Sequence, residues 1–209
     1  MTYIIYAAAI ALWVWLLRVL RKAGLRFWRY LLGACGVFLI LLVIVRPWLV
    51  LPLARIVAAI AGIFGKVTGY YQAYFRYGVI FIESVNGAIT VNIDMECSGI
   101  IEISAFLSLL VFYQIYNVPE RIYVGIIGTL YTLLTNALRV GVICTMIHFL
   151  GTDYYYIAHT VVGRIIFYVL QVILYFFVFT KPHVLKMKTG DFAYTKKDTD
   201  AIESEALKE

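Results

Sequence analysis

The sequence predicts an all-α polytopic membrane protein with about five or six transmembrane helices. Hydrophobic residues make up 63% of its 209 residues and charged residues only 14%, whereas soluble domains are nearer ~45–50% apolar and ~25% charged. The mean hydropathy of +0.88 and the aromatic content of 16% fit helices that meet lipid headgroups. Because one helical span needs roughly 20 mostly apolar residues, a chain of this length has little left for a soluble domain.

The positive charge is concentrated in the first part of the chain. The net charge is +6, and no acidic residue precedes Glu83. A group of cations separates the first two apolar runs: Arg18, Arg21, Lys22, Arg26 and Arg29. Such a loop is typical of the cytoplasmic side of a membrane, whereas nucleic-acid binding calls for a basic stripe on a polar face. We therefore expect the lipid bilayer, and no nucleic acid, as a partner.

The N-terminal elements follow from the apolar runs. Residues 3–20 and 30–45 each have the length and composition of a span. With the basic loop inside the cell, the N-terminus is expected outside. A third apolar stretch, 48–64, is interrupted by Pro52 and Arg55. It is expected to be either an interfacial or re-entrant segment or a further span.

Residues 79–94 break the helical pattern and predict a β-hairpin. Apolar and polar residues alternate over 89–94, and Asn86-Gly87 separates this run from the β-rich stretch before it. An Asn-Gly pair between two such runs is a strong hairpin signal. Since unpaired strand edges cannot face lipid, we expect an extracytoplasmic hairpin directly before Cys97. The alternative is a tilted span that buries the polar residues.

The C-terminal half predicts three more spans. They lie at about 99–117, 122–138 and 162–180, with an interfacial or re-entrant segment at 140–158. The link between the first two is short, so they are expected to form an antiparallel pair. Residues 1–180 would then form a single integral membrane domain. Residues 181–209 contain six lysines and six acids and are expected to form a charged cytoplasmic tail, too polar for a core.

This topology brings three residues to the extracytoplasmic face, namely Cys97, Arg139 and His159. Polar side chains at membrane depth are costly, so they are candidate functional groups. Cys97 lies just before a long predicted helix, where free N–H groups and the helix dipole favour a thiolate. A thiolate, a histidine and a cationic hydrogen-bond donor together make an acyl-transfer set.

In that set, Cys97 would attack a carbonyl group and His159 would carry the proton to the leaving amine. Arg139 would stabilise the oxyanion or orient the substrate. Each residue also has a structural interpretation. A cysteine at a helix start is more often inert than catalytic, an arginine near the end of a span often snorkels to headgroups, and a histidine can belong to an interfacial aromatic belt.

Further residues are candidates for supporting roles. Glu102 lies one turn into the helix, where it would form a capping box if Gly99 is the N-cap or would bind a basic substrate group. Asp153 precedes His159 by six residues and would orient its imidazole. Cys35 and Cys144 lie in apolar runs and are expected to pack as small hydrophobes. No zinc-ligand spacing or phosphate-cradling glycine loop is convincing, so no metal or cofactor is expected.

Three short motifs follow one another along the chain. Cys97-Ser98-Gly99 opens a predicted span, Asn136-Ala137-Leu138-Arg139-Val140 closes a later one, and His159 with Gly163 opens the last. In this order and spacing they resemble the Cys, Arg and His motifs of the exosortase/archaeosortase family. The resemblance covers about 78–180, and the chain is short for the family, as in a compact variant.

The resemblance implies a membrane cysteine protease or transpeptidase of a prokaryotic plasma membrane. Its implied substrate is the C-terminal sorting signal of an exported protein, and the acyl group would pass to an unknown nucleophilic acceptor. With water as the acceptor, the enzyme would be a plain protease. The same motifs give Ser98 and Asn136 as residues that support the site or contact the substrate.

The competing interpretation is a non-enzymatic membrane protein, either a small transporter or an envelope-assembly partner. Charged residues within the apolar segments could pair along a transport pathway: Arg55, Glu102, Arg139 and Arg164. Against this, no inverted repeat or pair of matching broken helices is visible. Preferential reaction of Cys97 with a thiol probe, compared with Cys35 and Cys144, would favour the enzyme.

Overall fold

The computed structural model describes residues 2–95, 97–113, 115–182 and 184. It divides into two compact units, Met1–Val169 and Leu170–Glu209. The single membrane domain predicted over 1–180 stays a prediction. The predicted tail lies outside the described residues from position 185 onward.

The first unit begins with three helices. They are α1 (Thr2–Lys22), α2 (Arg26–Ile40) and α3 (Arg46–Thr68), and the π turn Leu41–Val45 joins α2 to α3. The sequence suggested separate segments at 30–45 and 48–64, but the structure runs through both as one helical stretch, Phe27–Thr68. Pro47 lies in the first turn of α3, directly after the π turn, where a missing N–H changes the helical bonding.

A three-stranded antiparallel sheet follows α3. The strands are β1 (Tyr71–Tyr74), β2 (Val79–Ser84) and β3 (Gly87–Asn92), in the order β1-β2-β3. Ser84 is paired with Gly87, so Val85 and Asn86 form a two-residue turn, and Gly87 has φ +135°. Strands β2 and β3 occupy the region where the sequence predicted a hairpin, whereas β1 was not predicted.

The sheet packs its apolar face against α3. Ile80 and Ile82 are fully buried, and small residues on α3 let β1 approach closely. A Cβ added at Gly65 would lie 2.5 Å from the Tyr71 carbonyl oxygen, so the contact requires glycine. The Tyr71 hydroxyl donates to the Ala61 carbonyl at 2.8 Å. Burial, with Cys144 as a second cause, raises the pKa of Tyr71, which keeps the phenol protonated as a donor.

Two further helices of the first unit follow the sheet. α4 spans Ile100–Phe112 and α5 spans Val118–Leu150. The side chains of Asn117 and Glu120 form a capping box at the start of α5, and the Asn117 N–H donates to the Glu120 carboxylate at 3.0 Å. The predicted antiparallel pair is therefore built from a 13-residue and a 33-residue helix.

The C-terminal segments differ from the predicted boundaries. α5 continues past 138 to Leu150, through much of the segment predicted as interfacial or re-entrant, because no proline follows Pro119 within the helix, which ends only at Gly151 with φ +100°. The last helical stretch then begins at Thr152, ten residues earlier than predicted. Its parts are a 3-10 turn (Thr152–Tyr154), α6 (Tyr155–Ile157), a π turn (Ala158–Val162) and α7 (Gly163–Tyr175).

Three described helical stretches are long and apolar enough to cross a membrane, namely Phe27–Thr68, Val118–Leu150 and Thr152–Thr180. The chain is therefore a largely helical, polytopic membrane protein. α4 is apolar but shorter than a full span, whereas the sequence predicted a span over 99–117. The prediction of five or six spans stays a prediction. The described part of the second unit contains the end of α7 and the π turn Phe176–Thr180.

Candidate active site

Cys97 and His159 meet in the folded chain although 62 positions separate them. The Cys97 Sγ lies 3.1 Å from the His159 Nε2. Cys97 is 4% exposed and His159 is half-buried. A thiol and an imidazole at this distance can exchange a proton, which is the geometry that activates a cysteine nucleophile.

Cys97 lies in the turn between β3 and α4. Its N–H donates to the Asp94 Oδ1 at 3.3 Å, and its carbonyl oxygen accepts a bond from the Asn136 side-chain amide of α5. The next residue, Ser98, donates its N–H to the Asp94 carbonyl at 2.8 Å. The backbone around the thiol is therefore held from both sides, by Asp94 and by Asn136.

Gly99 is required by the same turn. It is the N-cap of α4 and has φ +76°, a left-handed conformation that costs other residues about 1–2 kcal/mol. A Cβ at this position would also lie 3.3 Å from the Asn136 Nδ2. The Cys97-Ser98-Gly99 motif thus combines a thiol with the glycine that lets Asn136 reach the Cys97 carbonyl.

His159 lies in the π turn Ala158–Val162, which is closed by a bond from the Gly163 N–H to the Ala158 carbonyl. Turns of this kind occur often at functional sites. The Tyr155 ring stacks on the imidazole with centroids 5.6 Å apart and an interplanar angle of 17°. A Cβ at Gly163 would lie 2.8 Å from the Ile143 Cδ1, so this glycine lets the turn pack against α5.

Arg139 is buried in α5, with 3% of its surface exposed. Its guanidinium carbon lies 5.7 Å from the centroid of the Phe167 ring of α7, a cation–π contact. The sequence placed Arg139 at the closing end of a span, but it lies in the interior of α5, which continues to Leu150. It follows Asn136 by one helical turn, so both residues lie on the same side of α5.

The weaker candidates have different surroundings. The Ser98 hydroxyl donates to the Met95 carbonyl at 3.0 Å, so it stabilises the turn that contains Cys97. Gly99 is the N-cap of α4, as the predicted capping box required, and Glu102 lies in the first turn of the helix. Glu102 itself is half-buried. Asp153 is exposed and, in the described part of the chain, forms no hydrogen bond with His159, so it does not orient the imidazole here.

Three residues around this site were not predicted from the sequence: Asp94, Tyr155 and Phe167. For two of them, the spacing along the sequence could have indicated the contact. Asp94 lies three residues before Cys97, as in a side-chain turn, and Tyr155 lies four residues before His159, where helical neighbours stack. The contact of Phe167 with Arg139 joins two distant helices and has no such signal.

The hairpin is attached to the end of α5 beside the site. The Ser84 hydroxyl donates to the Ile147 carbonyl at 2.8 Å. His148 Nδ1 lies 2.6 Å from the Glu83 carbonyl oxygen, a contact in which the nitrogen is the donor. The turn residue Asn86 lies against Gly151, where an added Cβ would be 3.0 Å from the Asn86 amide nitrogen. These contacts fix the hairpin relative to α5.

The other two cysteines differ in exposure. Cys144 is fully buried in the core that contains Cys97, whereas Cys35 is exposed. Among the described residues, no group of three or more His, Cys, Asp or Glu side chains is arranged to hold a metal ion.

A comparison with protein families shows the family of the chain. The family model described as transmembrane exosortase (Exosortase_EpsH) matches residues 1–176. The chain belongs to the transmembrane exosortase family. Exosortases are a family of cysteine-type transpeptidases, and the match spans Cys97, Arg139 and His159. No curated protein and no solved structure matches the chain. Membership in the exosortase family therefore rests on the family model.

Proposed function

We propose that this exosortase is a membrane-embedded cysteine protease or transpeptidase that cleaves the C-terminal sorting signals of exported proteins. The observation that carries the proposal is the 3.1 Å contact between the Cys97 Sγ and the His159 Nε2. A lone buried cysteine would need no partner of this kind. The contact supplies the base that a thiol nucleophile requires.

The first half-reaction forms an acyl-enzyme. The Cys97 thiol gives its proton to His159 Nε2, and the sulfur attacks the scissile carbonyl carbon, so that a C–S bond forms and the carbonyl oxygen becomes an oxyanion. The imidazolium then donates this proton to the leaving nitrogen as the C–N bond breaks. The products are a thioester on Cys97 and the released C-terminal signal, which leaves as an amine.

The second half-reaction transfers the acyl group. The acceptor nucleophile attacks the thioester carbonyl while His159 takes its proton. Collapse of the new tetrahedral intermediate breaks the C–S bond, and the imidazolium returns a proton to the sulfur. An amine acceptor gives a transpeptidation product, and water gives hydrolysis.

Arg139 is the candidate for the oxyanion donor or the substrate-orienting residue. Its burial and its contact with Phe167 hold the guanidinium in a fixed place, and pre-organised donors of this kind contribute most where water is excluded. Its position one turn after Asn136, which binds the Cys97 carbonyl, supports a location on the side of α5 that faces the thiol.

The site is proposed to face the extracytoplasmic side. Arg18, Arg29 and Arg121 line one pocket together with Phe112, the last residue of α4. Cys97 lies before the other end of this helix, whose 13 residues correspond to about 20 Å. Since arginine-rich loops stay in the cytoplasm, the thiol falls toward the opposite face.

The free edge of β3 is proposed to bind the substrate as an added strand. The pairing register and the bond from the Ile93 N–H to the Gly78 carbonyl direct alternate β3 residues toward β2. The backbone groups of Ala88, Thr90 and Asn92 therefore point away from β2, and within the described residues they bond to no other backbone. All three residues are exposed. An extended peptide on this edge would lie beside the segment that leads into Cys97.

A processing assay in cells tests the proposed reaction. An exported protein that carries its C-terminal signal is expressed with the wild-type enzyme or with Cys97→Ala, Cys97→Ser or His159→Ala. Each variant is expected to stop processing while its amount in the membrane stays normal. Cys144→Ala is the matched control, because it removes a thiol that is also buried in the same core. Full processing by Cys97→Ala would rule out the proposed nucleophile.

A further inference from the structure

Four arginines converge on one pocket far from the candidate active site. The cavity has a volume of about 380 Å³. Its lining consists of Val14, Leu17, Arg18, Arg21, Arg29, Val111, Phe112 and Arg121. Arg18 and Arg21 belong to α1, Arg29 to α2 and Arg121 to α5, so helices distant in sequence supply the charge.

The pocket brings the positive charge of four arginines together. Among the residues that the structure describes, none that lines the pocket is acidic. The neighbouring Glu120 carboxylate accepts the Asn117 N–H in the cap of α5. Like charges brought together in this way repel each other, and in a partly enclosed site the repulsion is screened less than in bulk water. An anion bound among the guanidinium groups would relieve it.

Arg121 is held in place within this lining. Its Nη2 donates to the Tyr113 carbonyl at 2.8 Å and to the Tyr116 carbonyl at 3.3 Å. Its Nε is buried and has no hydrogen-bond partner among the described residues. An unsatisfied buried donor is costly, so the site has both the charge and an unused donor for an anionic ligand.

An apolar groove adjoins the basic pocket. It has a volume of about 490 Å³ and shares Val111 and Arg121 with the pocket. The rest of its lining lies on α4 and α5 and is almost entirely apolar: Leu107, Leu110, Ile122, Gly125, Ile126, Thr129 and Leu130. A charged cavity that opens into an apolar groove matches an amphiphile with an anionic head and a hydrocarbon chain.

We propose that the basic pocket and this groove together bind an anionic phospholipid, with its phosphate among the arginines and one acyl chain between α4 and α5. Guanidinium groups pair with phosphate oxygens through two parallel hydrogen bonds. Four arginines are best matched by a headgroup with more than one negative charge, such as a phosphomonoester. Basic pockets between membrane helices on the cytoplasmic side are suited to such lipids, and this site is independent of the proposed reaction.

The test measures lipid retention by the full-length protein in nanodiscs of phosphatidylcholine containing phosphatidic acid, with native mass spectrometry after release. The double variant Arg18→Gln/Arg21→Gln changes two exposed side chains. Because each substitution removes a guanidinium that pairs with the phosphate through charge-assisted hydrogen bonds in the pocket, we expect a loss of bound phosphatidic acid of about tenfold or more. Lys22→Gln is the matched control, because it removes a neighbouring charge that does not line the pocket, and it should change retention less than twofold.

A second arm distinguishes a lipid from a free anion. Inorganic phosphate is added at millimolar concentration to the same nanodiscs, and it should not displace the retained lipid, because it cannot fill the apolar groove. Displacement by inorganic phosphate would show a simple anion site and overturn the lipid proposal. Equal retention of phosphatidic acid and phosphatidylcholine, or equal losses in the double variant and Lys22→Gln, would overturn it as well.

Discussion

At the scale of single residues, the site depends on how its backbone is held as much as on its reactive groups. Asp94 and Asn136 bind the N–H and the carbonyl of Cys97, while Tyr155 stacks on His159. These residues do no proposed chemistry, yet they fix the sulfur and the imidazole at 3.1 Å. Small displacements of such groups reduce rates strongly. Positioning residues should therefore affect processing almost as much as the dyad itself.

Gly99→Ala tests the fit between the turn and Asn136. The substitution adds left-handed strain of about 1–2 kcal/mol and a Cβ only 3.3 Å from the Asn136 Nδ2. Gly24→Ala is the matched control, because Gly24 has φ +72° but nothing within 4 Å of the added Cβ. Both variants should lower the unfolding temperature in detergent, but only Gly99→Ala should also slow processing. Equal effects of both on processing would contradict the proposed role of this contact.

Arg139→Lys tests whether the planar guanidinium is needed. Lysine keeps the charge but lacks the paired donors of arginine, and removal of an oxyanion donor commonly costs ~10²–10³ in rate. We expect a loss of this size in kcat, measured with purified enzyme and a signal peptide, with a smaller change in KM. Arg164→Lys, the same change at an arginine of α7, serves as the control. A rate unchanged in Arg139→Lys would remove Arg139 from the proposed chemistry.

At the scale of elements, α5 connects the β2–β3 hairpin to the segment that carries Cys97, because it binds both. The Asn86-Gly87 pair and the alternation after it are local signals, so the region of β2 and β3 could be predicted from the sequence. β1 could not be predicted, because its four residues pair with β2 and pack on α3 without a periodic pattern. The π turn around His159 was also missed, since a single inserted residue leaves the apolar periodicity nearly unchanged.

Thr90→Pro tests strand addition at the free edge of β3. The Thr90 N–H points away from β2, so proline removes a donor that only an added strand would use, and prolines are tolerated on edge strands in this orientation. We expect weaker binding of the peptide substrate, seen as a KM raised about tenfold, with the thiol reactivity of Cys97 unchanged. Thr90→Ala keeps the N–H and should behave like wild type. An unchanged KM in Thr90→Pro would exclude strand addition at this edge.

At the scale of the whole molecule, the two ends of α4 separate the basic pocket from Cys97. The grouping of Arg18, Arg29 and Arg121 in one pocket supports the proposed topology, in which this pocket lies on the cytoplasmic side. The sequence predicts that the loop with Arg18 and Arg29 faces the cytoplasm, which stays a prediction. It could not show that the three arginines share one cavity, because that depends on the packing of helices distant in the chain.

Cysteine accessibility in intact cells tests this topology. In a background with Cys35→Ala, Cys97→Ala and Cys144→Ala, which removes all three native cysteines, a single cysteine is introduced by Asp153→Cys beside the site or by Lys22→Cys in the basic loop; both positions are exposed. A membrane-impermeant thiol reagent should label Asp153→Cys in intact cells and Lys22→Cys only after permeabilisation. The reverse pattern would place the candidate site in the cytoplasm.

The central claim is that Cys97 forms the acyl-enzyme. Its most direct test incubates the purified protein with a signal-bearing peptide, quenches the reaction with acid, and locates the acyl group by peptide-level mass spectrometry. The account predicts a hydroxylamine-sensitive thioester on Cys97 in the wild type and in Cys144→Ala, and none in Cys97→Ala. An acyl group on another residue, or cleavage of the peptide by Cys97→Ala, would contradict it.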